Sequence, residues 1–457
     1  MRSIFRASLL VSALFAIDKV VSLGVQFLVA RAYGVGHALD AYNAANNLPD
    51  TLFLLISGGA LNLAMIPLLR QAFEREGRPG IWRLFSQIAN LAFLVTAALA
   101  VLVFLFAPWL VSNVVAPDFD SAQKSLTVDL MRLNLAALLI FSISGLISGS
   151  LQAHQHFILP GLAPMMYSLG QLAGLVILGP TGTLADSLGR IGVVGPLVEP
   201  PLRALAAATP DLGVFGLAWG VVLGAALHLL IQVPGLIRFG FRWTRGLGLE
   251  RADMREMLTL MGPRVLTMAC ISAIFIVNDN IASGLEVGAI SALSFGWRIQ
   301  QIPETLLGTA LGVAILPALS ELVAQGKHAE LTRLLRRALW ILLALTVPIA
   351  VVGSLLMPWV AGVIFEERAA LVAIATQSYL LGLVGHSLKE ATTRTFYAYK
   401  DARTPLATAA VNLVIFAGLG WALTPIFGLA ALALANSLSF TIESVLQAAL
   451  LRRRGVL

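Results

Sequence analysis

The stretch Ile290–Ser320, ISALSFGWRIQQIPETLLGTALGVAILPALS, decides how the chain folds. It is apolar enough to enter a bilayer, yet it carries Arg298, Glu304, Pro303 and Pro317. An earlier stretch, Leu39–Leu69, LDAYNAANNLPDTLFLLISGGALNLAMIPLL, follows the same plan. Each reaches a proline (Pro49, Pro303) followed by an acid (Asp50, Glu304) and Thr-Leu. Each then closes on a small-residue run ending in a second proline (Pro67, Pro317). A polar, proline-broken helix is costly in hydrocarbon and lines a water-filled cavity rather than facing lipid. Two copies point to two lobes around one central path.

Working outward, the 457 residues are 58% hydrophobic and only 12% charged, with mean hydropathy +0.86. Soluble domains carry about 25% charged residues, so an all-α polytopic membrane protein is expected. Cys270 is the single cysteine, which excludes an intrachain disulfide. The formal charge of +7 reflects basic cytoplasmic loops and implies no nucleic acid partner. The first apolar run, from about Ser8 to Ala30, is interrupted by Asp18-Lys19 and meets no small-residue cleavage site, so it reads as an uncleaved first helix.

At about 20 residues per crossing, there are about 12 transmembrane helices, centred near residues 20, 53, 97, 140, 168, 225, 270, 305, 347, 383, 413 and 440. With both termini cytoplasmic, the inner segments hold 20 Lys and Arg and the outer loops only Lys124, Arg190, Arg203 and Arg368. That bias supports the orientation. Pro67 and Pro317, Arg83 and Arg333, and Pro108-Trp109 and Pro358-Trp359 all lie 250 positions apart, while Pro160 and Pro405 lie 245 apart. Six helices separate each position from its counterpart, so the halves share orientation. Two six-helix lobes, 1–237 and 257–457, are expected, related by a pseudo-twofold axis along the membrane normal, with 238–256 as the cytoplasmic linker. Residues 179–213 read as an outer loop carrying a short surface helix.

Six side chains are candidates for lining a central cavity. Lys19 lies about 16 Å into the first helix and Arg298 about 12 Å from the outer face at 1.5 Å per residue. Arginine's planar fork suits phosphate. Asp40, Asn43 and Asn47, with Asn46, share a polar face of the second helix, and Lys389 lies toward the inner end of the tenth. Asp279, flanked by Asn278 and Asn280, offers oxygen ligands for a cation, with Asn412 as partner. Plainer readings stand beside these: an ion pair between Arg298 and Asp279 or Asp40, inter-helix hydrogen bonds for the asparagines, and snorkelling for Arg394. Glu443 in the last helix is ambiguous. No phosphate loop, H-E-x-x-H or G-x-S-x-G occurs, and His154 and His156 lack a third ligand nearby. The expectation is a transporter without a catalytic residue, metal or cofactor, driven by Na+ or H+ coupling or by the membrane potential.

Three blocks, within Leu39–Pro67 (DAYNAANNLPDTLF and GGALNLAMIP), Asn278–Ser320 (NDNIASGLEVGAISALSFGWRIQQIP) and Thr395–Pro405 (TFYAYKDARTP), resemble the MurJ/MviN family of lipid II flippases. That family belongs to the multidrug/oligosaccharidyl-lipid/polysaccharide exporter superfamily. The resemblance implies two lobes around a cationic cavity and alternating-access movement of an undecaprenyl-pyrophosphate-linked peptidoglycan precursor across the bacterial inner membrane, by a monomer embedded among membrane lipids. It places a cavity arginine on Arg298 and another on Lys19. Further family arginines fall on Val25 and Phe53, and the two extra C-terminal helices of many members have no counterpart before Leu457. The rival readings are a flippase for another lipid-linked oligosaccharide, a drug or organic-cation antiporter relying on Asp40 and Asp279, and a non-transporting scaffold.

Overall fold

Apolar runs of this length satisfy their backbone in hydrocarbon only as helices or closed barrels. The computed structural model describes residues 2–56, 59–190, 195–250, 252–365 and 368–457, and among them no strand occurs. Arg251 lies outside the described residues, as do the side chains of Arg2, Arg6 and Pro67. In chain order the helices are α1 (Arg2–Tyr33), α2 (His37–Ile56), α3 (Gly59–Leu110), α4 (Ser121–Ala153), α5 (Ile158–Ala173), α6 (Thr181–Gly189), α7 (Gly195–Ala208), α8 (Val214–Leu230) and α9 (Val233–Arg238). They continue as α10 (Ala252–Ala282), α11 (Ala289–Glu304), α12 (Ala310–Ala324), α13 (His328–Phe365), α14 (Ala369–Leu380), α15 (Leu383–Ala398), α16 (Arg403–Phe427) and α17 (Leu429–Arg453). Among the described residues, nine helices are long and apolar enough to cross a membrane, or ten if α14 and α15, bent by 42°, form one span. α1 and α2 cover the positions read as spans near residues 20 and 53.

The chain divides into two compact units: residues 1–34, 44–113 and 120–265, and residues 35–43, 114–119 and 266–457. In the first, α5 and α8 touch along glycine ridges. A Cβ on Gly170 would lie 2.2 Å from Gly224 Cα, and one on Gly174 would lie 2.3 Å from Gly220 Cα. Gly170 and Gly174, like Gly216, Gly220 and Gly224, recur every fourth residue, the small-xxx-small pattern that lets membrane helices approach backbone to backbone.

The segment expected as a linker packs against α3 over residues 239–246. Trp82 donates to the Phe239 carbonyl at 3.1 Å, Asn90 donates to the carbonyls of Thr244 and Gly246, and the Thr244 N–H reaches Ser86 Oγ. Phe241 packs edge-on against Trp82 and Phe85, and His154 stacks between Trp82 and Phe239. Each such aromatic pair contributes about 0.5–1.5 kcal/mol, enough to order a segment that sequence composition alone leaves as a loop. Residues 179–213 also hold more structure than a single surface helix. They form α6 and α7, joined by Arg203 to Asp186 at 2.7 Å, with Glu199 on α7 holding the same guanidinium at 2.8 Å.

Two prolines behave differently from the expected breaks. α2 runs through Pro49 without interruption, whereas Pro303 is followed by a π-helical turn, Thr305–Thr309, before α12 resumes the path. A π turn relieves the ring's clash with the preceding carbonyl while keeping the chain helical. Two glycines interrupt the helical path. Gly77, at φ +66°, kinks α3, and Gly326, at φ +68°, separates α12 from α13; both adopt a left-handed conformation that glycine tolerates.

Candidate functional site

In the second unit, α11 carries Arg298 and is capped at its N-terminus by a side chain from α2. Asp40, on α2, is buried at 3% exposure. Its Oδ2 accepts from the Gly288 N–H at 2.6 Å, and its Oδ1 accepts from the Ser291 N–H at 2.7 Å and hydroxyl at 2.6 Å. Asn43 adds a contact to the same hydroxyl at 3.4 Å. The carboxylate thus caps α11 from a neighbouring helix, meeting orphan N–H groups and the positive end of the helix dipole. Gly288 sits at φ +93°, and a Cβ there would meet Val35 at 2.6 Å, so only glycine admits this approach.

From that cap α11 runs to Arg298. The guanidinium is exposed and makes no ion pair or hydrogen bond with any described residue. Ser294, Gln301 and Thr305 lie at the −4, +3 and +7 positions, and Gln301 and Thr305 are also exposed. Spacing of three and four places all four on one helix face. A polar strip around an unpaired arginine in mid-span suits water or an anion, because a lone guanidinium against lipid is expensive.

In the first unit, Asp18 and Lys19 point apart. Asp18 is buried and accepts from the Ser168 hydroxyl at 3.0 Å, while Lys19 is exposed and unpaired among the described residues. Asn46 accepts from Asn134 at 2.8 Å, an inter-helix bond rather than an open lining. Asn47 is half-buried on the same helix.

A model of the Lipid II flippase MurJ family matches residues 29–457. The chain belongs to the MurJ lipid II flippase family. A lipid II flippase MurJ from Burkholderia cenocepacia is 28% identical over 465 residues, covering 99% of this chain and 85% of that protein. A probable lipid II flippase MurJ from Rhizobium tropici is also 28% identical, covering 94% and 77%. Among solved structures, an inward closed lipid II flippase MurJ superposes with TM-score 0.75 at 19% identity, covering 97% of this chain and 87% of that one. An inward-facing multidrug MATE transporter superposes with TM-score 0.75 at 13% identity, covering 96% and 94%. These two likenesses show the fold alone. The chain is therefore a multi-pass inner-membrane protein of a transporter family, not an enzyme.

At the two positions where the resemblance implies further arginines, the chain carries apolar side chains. Val25 is buried at 2% exposure, and Phe53 packs on Phe141 with ring centroids 5.5 Å apart. Both face protein, so neither place leaves room for a solvated arginine.

Four sequence expectations are corrected. Asp40 does not line an open surface, because all its acceptors are engaged in capping α11. Lys389 does not stand free for substrate: its ammonium lies 3.8 Å from Glu443 and 4.8 Å from the Phe440 ring centroid. Asn412 joins Glu443, donating at 2.6 Å, rather than Asp279. Asp279, buried and 3.3 Å from the Asn278 amide, makes no ion pair with Arg298. Sequence reading left Glu443 unassigned, yet it centres a buried network. Thr408 and Gln447 also donate to it, and Thr392 and Thr393 donate to the Gln447 carbonyl oxygen. A burial this complete requires such partners. The signal was present as a lone acid in an apolar helix, but apart from Gln447 its partners lie 31 to 54 positions away.

Proposed function

We propose that this protein moves lipid II, the undecaprenyl-pyrophosphate-linked peptidoglycan precursor, across the inner membrane by alternating access, with both termini cytoplasmic and as a monomer. Arg298 meets the pyrophosphate, and Lys19 supplies a second cation. Family membership supports the substrate class. The observation that carries the residue assignment is Arg298 itself: exposed, unpaired and set on a polar strip within an apolar span. A pyrophosphate leaving water needs charge-assisted donors, and Arg298 is a cation not already neutralised by the protein. Lys389 is neutralised and holds the fold instead. With no nucleotide-binding loop in the sequence, transport draws on Na+ or H+ coupling or the membrane potential, where a unit charge crossing about 100 mV is worth about 2.3 kcal/mol.

The antiporter reading asks for a carboxylate-lined cavity, and Asp40, Asp279 and Glu443 are all buried among protein groups. Complementation of a flippase-depleted strain, or lipid II flipping in vesicles, tests the assignment. Arg298→Ala should lower activity about 10- to 100-fold, the worth of about 1.5–3 kcal/mol for a charged hydrogen bond, and Arg298→Lys should retain part of it. Full activity of Arg298→Ala would refute the anion contact. Loss of cation efflux in Asp40 and Asp279 variants, with lipid II transport absent, would favour the antiporter.

A further inference from the structure

An open groove of about 380 Å³ runs between the first turns of α16 and the last turns of α17. Its walls are Ala407, Val411, Leu446 and Leu450, and Arg403 and Thr404 stand at its end. Thr408 closes the floor, but its hydroxyl is already bonded to Glu443 and to the Pro405 carbonyl, so the floor presents no free polar group. Both helices are membrane-crossing, and an apolar furrow on their flank is filled by hydrocarbon rather than water.

The end of the groove is strongly basic. Lys400, Arg403, Arg452 and Arg453 are exposed and make no ion pair with any described residue. The acid beside them, Asp401, is already held by Arg454 at 2.8 Å and by the Thr404 hydroxyl at 2.6 Å. Four uncompensated cations at the end of an apolar furrow match a molecule with an anionic head and a hydrocarbon tail. They lie at one end only, as suits a lipid that keeps to one leaflet rather than one that must cross.

We propose that this groove is a binding site for an anionic phospholipid, with one acyl chain between α16 and α17 and the phosphate on Arg403 and Arg453. Occupancy ties the helix pair to the anionic surface of its leaflet. The site is separate from Arg298 and independent of whether the protein transports lipid II.

The test uses the full chain in phosphatidylcholine nanodiscs, with native mass spectrometry counting retained phosphatidylglycerol and phosphatidylcholine. Wild type should retain phosphatidylglycerol preferentially. Arg403→Gln with Arg453→Gln should weaken that retention about fivefold per charge removed, and Ala407→Trp, which fills the groove, should weaken it with the charges intact. Should Ala407→Trp fail to fold, the two exposed arginine changes and the salt dependence of retention decide alone. Equal retention of both lipids by wild type, or unchanged phosphatidylglycerol retention in the double arginine variant, would overturn the proposal. So would an Ala407→Trp protein that loses undecaprenyl-pyrophosphate binding but keeps phosphatidylglycerol, since the groove would then hold the substrate's tail. Lipid II flipping measured on the same variants separates this site from the transport assignment.

Discussion

Asp40 reaches Gly288 and Ser291 with both carboxylate oxygens, so the placement of α11, and with it Arg298, depends on a residue about 250 positions earlier. Asp40→Ala would leave two buried N–H groups unpaired and remove a charged cap. It should lower stability by roughly 2 kcal/mol, read as thermal unfolding in detergent, with Asp40→Asn falling between. Gln300, two residues past Arg298, is fully buried, and neither its side-chain nitrogen nor its oxygen has a partner. An unpaired buried amide costs about 1–3 kcal/mol, so Gln300→Leu should raise the unfolding temperature; a fall would show that water satisfies the amide. Arg298 and Asp40 were both legible as charges inside apolar runs. Their roles were not, because a sequence shows that a charge is costly but not which distant backbone group it meets. The same gap hid the pairing of Lys389 and Asn412 with Glu443.

At the scale of elements, α5 and α8 owe their contact to glycine. A Cβ on Gly220 would meet the Gln171 and Gly174 backbones at 3.1 Å, so Gly220→Leu must push the helices apart. It should cost roughly 1–3 kcal/mol, measured by chemical or thermal unfolding. Gly418→Leu, where nothing lies within 4 Å, should be neutral. The four-residue glycine spacing was visible in the sequence, but helix spans and charge bias drew the reading away from it. The linker offers a pH test. Burial between Trp82 and Phe239 holds the His154 imidazole below its ordinary range, and Arg78 adds repulsion. The unfolded chain therefore binds a proton, near pH 6.5, that the folded chain resists. Stability should rise with pH up to about 6.5 and be lost as pH falls below it. His154→Phe should flatten that slope in unfolding measured between pH 5 and 8. The packing of this segment was not legible because its aromatics pair with residues on α3 and just past α4, about 85 to 160 positions away.

The whole molecule was legible in its coarse features. Hydropathy gave helices throughout, but the left-handed breaks at Gly77 and Gly326 were not read from the sequence. Periodicity carries the crossing helices because each is set by about 20 local residues. Tertiary partners are set by packing and leave no local mark. The central claim is that Arg298 faces a hydrated path rather than lipid. Arg298→Cys in a Cys270→Ser background, treated in intact vesicles with a charged, membrane-impermeant thiol reagent, tests this most directly. The account predicts rapid labelling, slowed by an undecaprenyl-pyrophosphate lipid, while Val414→Cys, on an exposed apolar surface of α16, stays unlabelled. Labelling of position 298 only by apolar, membrane-soluble reagents would place the arginine against lipid and contradict it.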